Sequence, residues 1–582
     1  MATAVTPAAL GVLLSVLLLL GLLLHGRVAT AVLFTTWAAA YFLLGLVPEA
    51  TFLAGYTNSA LVTLLVLMLV SLALERSPLV ASLSRFVTRD GGDRRAVWRL
   101  SAVAAGLSSF LNNTAVVGGL LGVVTQQTRV PASRLLIPLS YASILGGVVT
   151  LVGTSTNLVV NSLAVRAGLP ALGMFQFTPV GLPVALVCMV VLMLTAHWLP
   201  VNEAQNRQAG APYFLEAQVM PGSPLAGRSI EANGLRSLDG LYLMEIVRAG
   251  RLLSPVGPDE VLQAQDGLIF TGEVNKVQAL RAFAGLEVFG GTAHDVLTSN
   301  LVEVVLTYQS ELVNSTLREV DFRTLFDAGV VGIRRGERRL TGQLGHIELR
   351  VGDCLLLAVG PDFWQRKNLE RNFHVLSDVP LRPKLSAQEN RLVLGGFALV
   401  IALSTLAVLP LLQGLLLLLG ALLATRVLTP GELRRRFPFE LWLVVGSSLT
   451  IAAALDASGA SALIAQTLHA LFSGHGVWGA LVGVYVLTWI LTELVTNNAA
   501  AALAFPIGLS TAQAFGVNPM PFVMVVAYAA SASFLLPFGY QTHLMVYSPG
   551  RYRTVDFLRM GWPVALAYAV VVLALVPVFF PF

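Results

Sequence analysis

Two asparagine pairs sit where asparagine is costly. Asn112-Asn113, followed by Thr114, lies in the middle of one long apolar run, and Asn497-Asn498 in the middle of another. A side-chain amide in hydrocarbon is expensive unless something binds it. Each pair is followed by a polar, glycine-containing break: Gly153-Thr154-Ser155-Thr156-Asn157 after the first, and Gly539-Tyr540-Gln541-Thr542-His543 after the second. Asn112 to Gly153 is 41 positions and Asn497 to Gly539 is 42. Composition alone does not keep such spacing. The chain therefore reads as an internal repeat whose paired interruptions mark a binding site.

The chemistry available there is specific. Asn oxygens and carbonyls at helix C-termini are ligands for a hard cation such as sodium. Helix N-termini, with the hydroxyls of Thr114, Thr154, Ser155, Thr156 and Thr542, donate to an anion. Neither tip and neither break contains Lys or Arg. An anion held here rests on neutral dipoles plus co-bound cations, so cation coupling follows. Interhelical hydrogen bonding is the plainer account of an Asn in a membrane helix; two doublets, each with its own break, favour a site. Glu493 stands one helical turn before Asn497 and can share its face. It reads either as a proton or cation site or as a structurally neutralised group. Its first-half match by the doublets is Ser108, so the role is not symmetric.

A bilayer must position these residues. The 582-residue chain is 55% hydrophobic and 12% charged, with mean hydropathy +0.75. Most of it is solvated by lipid. Of the 69 charged residues (37 basic, 32 acidic), 42 fall in 201–390, leaving 27 for the other 392 positions. That is the pattern of membrane, soluble insert, membrane. Spanning runs fall near 7–25, 28–47, 58–75, 135–165 and 177–199, then near 391–408, 411–425, 440–456, 521–547 and 560–580. The runs 100–128 and 479–512 are too polar at their centres for plain spans and read as re-entrant helical hairpins. If 100–128 is re-entrant, Arg27, the Arg76 to Arg99 group and Arg129 with Arg134 share one side, while the connection 48–57 carries no Lys or Arg. By the positive-inside rule that side is cytoplasmic, and both termini and 48–57 lie outside. Arg434 to Arg436, Arg551 and Arg553 fall inside again. The expected fold is thus a polytopic α-helical membrane protein of two inverted repeats, each of five spans plus a hairpin, covering 1–200 and 386–582. Amphipathic stretches 78–90 and 459–472 suit interfacial helices.

The insert carries its own repeat. One copy (201–300) opens at Pro221 and runs through strands near Ile246–Gly250 and Asp266–Phe270; a second (301–385) has counterparts at Gly332–Gly336 and Gly352–Leu356. Each is a small α+β domain. Cys188 and Cys354 are too few for a disulfide framework or a cysteine metal site, and the histidines lack metal-ligand spacing. Residues 7–25 read as a retained span, since the start lacks a basic region and a cleavage site. The net charge of +5 comes from cations flanking apolar runs, so no nucleic-acid partner is implied. No nucleophile–base pair or nucleotide loop points to an enzyme. No TVGYG-like filter supports a potassium channel.

At Asn112-Asn113-Thr114 and Asn497-Asn498-Ala499 the chain resembles the divalent anion/sodium symporter family of sulfate and carboxylate transporters. Two Ser-Asn-Thr motifs at the hairpin tips bind substrate and sodium in that family. Here Asn replaces Ser twice and the second triplet lacks Thr. The resemblance implies a substrate site of Asn112, Asn113, Thr114, Ser155, Thr156, Asn497, Asn498 and Thr542. It implies sodium at Ser109, Asn113, Gly153 and Asn157, and again at Thr496, Asn498, Gly539 and His543. It also implies an elevator-type homodimer in a bacterial inner membrane, with no organic cofactor. The missing Thr favours sulfate, a compact anion, over a di- or tricarboxylate. A sodium/proton antiporter using Glu493 is the other alternative. The insert resembles two RCK-C (TrkA-C-like) domains, which implies a cytoplasmic regulatory role and a nucleotide ligand.

Overall fold

The computed structural model describes residues 6–582 except 26–27, 78–91, 127–129, 201–212, 236–237, 239–240, 250, 254–256, 273–279, 281–282, 289–300, 309, 337, 341–343, 360–362, 367, 377–384, 473 and 475. The first helices are α1 Pro7–His25, α2 Thr30–Leu43, α3 Glu49–Thr57 and α4 Ser59–Glu75. The stretch 48–57, expected as a plain connection, is instead mostly helix. Pro48 precedes the first turn, Glu49 complements its dipole, and helix-forming Ala, Phe and Leu follow. Only Asn58 interrupts the path into α4: its backbone is extended and its Oδ1 accepts the Leu61 N–H at 2.8 Å. Five helices among the described residues are long and apolar enough to cross a membrane: Glu49–Glu75, Thr178–Trp198, Phe439–Ser458, Gly476–Leu494 and Thr554–Phe579. Shorter apolar helices accompany them. The chain is a polytopic helical membrane protein.

Next come α5 Asp93–Ser108 and α6 Asn113–Gln126, joined by a short turn that holds Asn112, then α7 Ala132–Gly147, α8 Ser155–Arg166 and α9 Thr178–Thr195. After the insert follow α10 Ala387–Thr405, α11 Leu411–Ala424, α12 Pro430–Arg436, α13 Phe439–Ser458 and α14 Ala460–Phe472. The last five are α15 Gly476–Leu494, α16 Asn497–Phe515, α17 Met520–Ala529, α18 Gln541–Tyr547 and α19 Thr554–Phe579. The runs 135–165 and 521–547 are each split in two. The non-helical stretches are 148–154 and 530–540, upstream of where the polar residues alone place them, so Gly153 and Gly539 end each break rather than begin it. The amphipathic 459–472 is largely helical as α14, whereas 78–90 lies outside the described residues.

Close helix crossing makes the frame. A Cβ on Gly146 of α7 would collide with the carbonyl oxygen of Ala105 on α5 and stand 2.6 Å from its Cα. Gly147 is as restricted, with Asn113 Oδ1 2.7 Å from its would-be Cβ.

The insert forms two five-stranded antiparallel sheets. The strands are β1 Tyr213–Val219, β2 Leu241–Arg248, β3 Arg251–Leu253, β4 Gly267–Gly272 and β5 Leu286–Val288, then β6 Leu301–Leu306, β7 Ala328–Arg335, β8 Arg338–Arg339, β9 Cys354–Val359 and β10 Phe373–Val375. Their orders are β3-β2-β4-β1-β5 and β10-β6-β9-β7-β8, one topology read from opposite edges. Each sheet carries a bidentate pair at the same place: Arg248 on Asp266 (2.9 and 2.8 Å) and Arg335 on Asp353 (2.7 Å twice). The second sheet also rests on the helices. Arg334 Nη1 donates to the Ser548 carbonyl at 2.5 Å, and the Gly336 N–H donates to Ser548 Oγ at 2.9 Å. The His374 ring lies 3.3 Å from the would-be Cβ of Gly118 on α6.

Two outcomes test this packing. Gly106→Ala on α5, where a Cβ meets nothing within 4 Å, should be neutral or stabilising by up to about 1 kcal/mol. Gly146→Ala should lose about 1–3 kcal/mol to overpacking, read as opposite shifts of the melting midpoint of the purified protein. Burial, and secondarily Arg436, push the His374 imidazole down to about 4. The unfolded chain then binds that proton first, so stability is full above about pH 6.5 and falls between there and pH 4. His374→Gln should flatten that acid-side loss in a melting series.

Candidate functional site

The tips and the breaks meet. Asn113, the first residue of α6, donates through Nδ2 to Tyr540 Oη at 2.6 Å and accepts the Ser108 hydroxyl on Oδ1 at 2.5 Å. Thr114 Oγ1 donates to Gln541 Oε1 at 3.3 Å, so the first tip is braced by the second break. The second tip is braced by the first break in the same way: Ser155 and Thr156 hydroxyls donate to Asn498 Oδ1 at 3.2 and 3.4 Å. The Tyr540 phenol also interacts with Thr154 and Asn497, so one side chain reaches both tips and the opposite break.

These contacts fix a register. Thr492 Oγ1 donates to Asn497 Oδ1 at 3.1 Å, as Ser108 does to Asn113, each five residues along. Asn497 also opens α16 as Asn113 opens α6. The structural partner of Asn497 is therefore Asn113, one position from the match with Asn112 that the doublets suggest. Asn112 instead stands before α6, its Oδ1 accepting the Thr114 N–H at 3.2 Å. On this register Asn498 pairs with Thr114, and Ser155 pairs with Gln541.

Four helices begin at these segments: α6, α8, α16 and α18. For the longer α8 and α16 no side chain caps the first turn. Their leading N–H groups are the donors that a helix end leaves unsatisfied, and they suit an anion.

The first break also has acceptors to spare. Asn157 is fully buried, and its Nδ2 donates to the Thr150 carbonyl at 2.9 Å. Its Oδ1 is buried with no partner. A Cβ on Gly153 would stand 2.6 Å from the Gly147 carbonyl oxygen and 2.9 Å from that of Ser108. Orphaned and backbone oxygens crowded here fit a hard cation. Ser109 faces the same turn, with its carbonyl accepting Thr150 Oγ1 and its own hydroxyl donating to the Ala105 carbonyl at 2.9 Å.

The second break differs. His543 is buried between Ser140 (Nδ1, 2.8 Å) and the Ser533 carbonyl (Nε2, 2.9 Å). The carbonyl only accepts, so Nε2 carries the hydrogen and Nδ1 spends its lone pair on the Ser140 hydroxyl. Both ring nitrogens of His543 are therefore engaged within the protein. Thr542 likewise turns to Ser140, at 2.8 Å, rather than to the tips. Thr496 is the extended residue before α16, and Gly539 packs against Ser533 with Glu493 Oε2 3.5 Å from its would-be Cβ.

Glu493 is the site's one carboxylate among the described residues, and it is spoken for. Its Oε1 accepts the N–H groups of Phe534 (2.8 Å) and Leu535 (2.9 Å). Its Oε2 accepts those of Leu536 (3.1 Å) and the Ser533 hydroxyl (3.4 Å). Four donors on one buried carboxylate describe a loop anchor. Sequence reasoning missed Tyr540 and Gln541, though both lie inside the break it singled out; their size alone set them apart from Thr154 and Ser155.

Comparison with known proteins decides the family. The match to the citrate transporter family, CitMHS, runs over residues 8–527. The chain belongs to that family. It is a divalent-anion symporter relative and, with its apolar helices, a multi-pass membrane transporter. It is 32% identical over 554 residues to an uncharacterized transporter of Synechocystis sp., covering 91% of this chain and 90% of the relative. It is 27% identical over 576 residues to the uncharacterized transporter YfbS of Escherichia coli, covering 92% and 93%. Sodium/sulfate cotransporter 1 of Chlamydomonas reinhardtii is 27% identical over 374 residues, covering 61% of this chain and 42% of that protein.

The anchoring role of Glu493 in this citrate transporter family member has a direct check. Glu493→Gln swaps an acceptor oxygen for an amide donor facing N–H groups, and should cost about 1–3 kcal/mol, seen as a lowered melting midpoint. An unchanged midpoint with lost pH dependence of transport would instead make Glu493 a proton carrier.

Proposed function

We propose that this protein is a secondary active transporter that imports a small divalent anion, sulfate in first place, coupled to sodium. The observation that carries the reading is the unpartnered, buried Asn157 Oδ1, on a side chain whose Nδ2 is tied to the Thr150 carbonyl of the first break at 2.9 Å. A buried acceptor without a donor costs stability unless a cation answers it. Uncapped helix ends beside it supply the donors an anion needs, with no Lys or Arg in the tips or breaks. Relatives bearing the name sodium/sulfate cotransporter support the same cargo and coupling ion.

In this reading the halves 1–200 and 386–582 are inverted repeats, and the matched pairs Thr114–Gln541 and Asn498–Ser155 support that symmetry. The tips and breaks move together as a transport unit in an elevator cycle, within a homodimer of the bacterial inner membrane with its termini outside. Residues 201–300 and 301–385 are two cytoplasmic RCK-C-like domains that take a nucleotide and regulate transport. A di- or tricarboxylate is the competing cargo, because the family's description is citrate transporter.

The experiment is uptake of labelled sulfate and labelled citrate into proteoliposomes, with sodium and with choline. Sulfate uptake should collapse in choline, and citrate uptake should be small in both. Asn113→Ala and Asn157→Ala should each cut the sodium-dependent rate at least tenfold while the protein still elutes as a single folded species. Equal uptake in choline removes the coupling; near-wild-type rates in both variants remove the site.

A further inference from the structure

Tyr540 occupies the place where all four polar segments converge, and no symmetry demands a ring there. The corresponding first-half residue, ahead of α8, is Thr154, a side chain with the same hydroxyl and a fraction of the volume. Tyr540 sits extended (φ −138°, ψ 140°) ahead of α18. Its ring is held from behind by His543, centroid to centroid 5.9 Å, and His543 is itself pinned by Ser140 and Ser533. The phenol is therefore aimed, not free to swing away.

We propose that Tyr540 sets the size of the cargo: its ring closes the space between the two tips to anything longer than a tetrahedral oxyanion, and its O–H is donated to that anion. The inference rests on the anion-transport reading above and deepens it. Two arguments carry it. Asn113 of the first tip donates to the phenol oxygen at 2.6 Å, and Asn497 of the second tip lies beside the same phenol. Two groups sharing one hydrogen-bonding atom stand at most about 6 Å apart. A tetrahedral dianion can touch both from one centre, whereas a dicarboxylate with one carboxylate at each tip needs a longer gap. The second argument is donor count. A phenol has one hydrogen and two lone pairs, and Asn113 Nδ2 takes a lone pair. The hydrogen goes to the best acceptor in reach, and a doubly charged oxyanion outcompetes the neutral oxygens of Thr154 and Asn497 for it.

Labelled sulfate uptake into sodium-loaded-gradient proteoliposomes, with unlabelled sulfate or succinate as competitor, separates the two roles. Tyr540→Phe keeps the ring and removes the donor; the half-saturating sulfate concentration should rise about tenfold, with succinate still a poor competitor. Tyr540→Thr copies Thr154 and opens the gap; succinate should become a competitor at least ten times stronger than against the wild type. Should the Thr variant fail to elute as a folded species, the Phe variant alone decides. An unchanged half-saturation in Tyr540→Phe overturns the inference while leaving sulfate transport standing. Wild-type uptake blocked by succinate as readily as by sulfate also overturns it. Absence of any sulfate uptake by the wild type overturns the transport reading, and this inference with it.

Discussion

The constraint behind this structure is that a polar site must be kept inside an apolar body without a fixed positive charge at its centre. In the anion-transport reading, a permanent cation would hold the cargo strongly and release it reluctantly. Backbone dipoles and amides have no such charge, but they must be delivered by broken helices, and broken helices expose backbone groups that lipid cannot satisfy. The four-way bracing answers that need. Asn113 on Tyr540, Thr114 on Gln541, and Ser155 and Thr156 on Asn498 use the side chains of one half to secure the ends of the other. Neither half can form its site alone.

The two breaks are stabilised by different means. The first, 148–154, is short and is held by glycine-mediated contact and by Asn157 bridging to Thr150. The second, 530–540, is longer and leaves more backbone N–H groups to satisfy. Glu493 collects three of them and a hydroxyl, so its negative charge is balanced by local dipoles rather than by an Arg or Lys. Asymmetry at the level of chemistry thus coexists with near symmetry in the contacts between tips and breaks. The second break spends its carboxylate and its histidine on structure. The first keeps an orphaned amide oxygen on Asn157, and the second an unpartnered buried hydroxyl on Ser531.

Much of this was legible in the residues. Asparagine doublets in apolar runs, their spacing to the breaks and the doubled insert all announce themselves, because polarity in an apolar background and periodic repetition are strong signals. What stayed hidden has physical causes. Helix α3 escaped because a stretch flanked by Pro48 and Asn58 looks like a connection until its helix-forming interior is weighed against its ends. The breaks begin upstream of their polar residues because Val148 to Val152 and Ala530 to Leu536 are unwound by tertiary contacts, with Glu493 supplying the alternative partner for three N–H groups. The one-residue shift that pairs Asn497 with Asn113 depends on where each helix starts, which the doublets cannot tell. His543 reads as a ligand by position; its neighbours Ser140 and Ser533 lie on other segments and take up both ring nitrogens.

The insert is the remaining piece, and its placement limits what it can do. Its second sheet touches Ser548 just beyond α18 and Gly118 within α6. Those two helices begin at Gln541 and Asn113, the residues that brace the first tip against the second break. A Cβ on Gly352 would also meet the Leu544 carbonyl of α18 at 2.6 Å, so sheet and helix are in backbone contact there. A movement of the second sheet alters the site, along α6 and α18, only if it shifts one of those helices relative to the other. A uniform displacement of both would leave the Thr114–Gln541 and Asn113–Tyr540 bonds intact and change nothing at the tips.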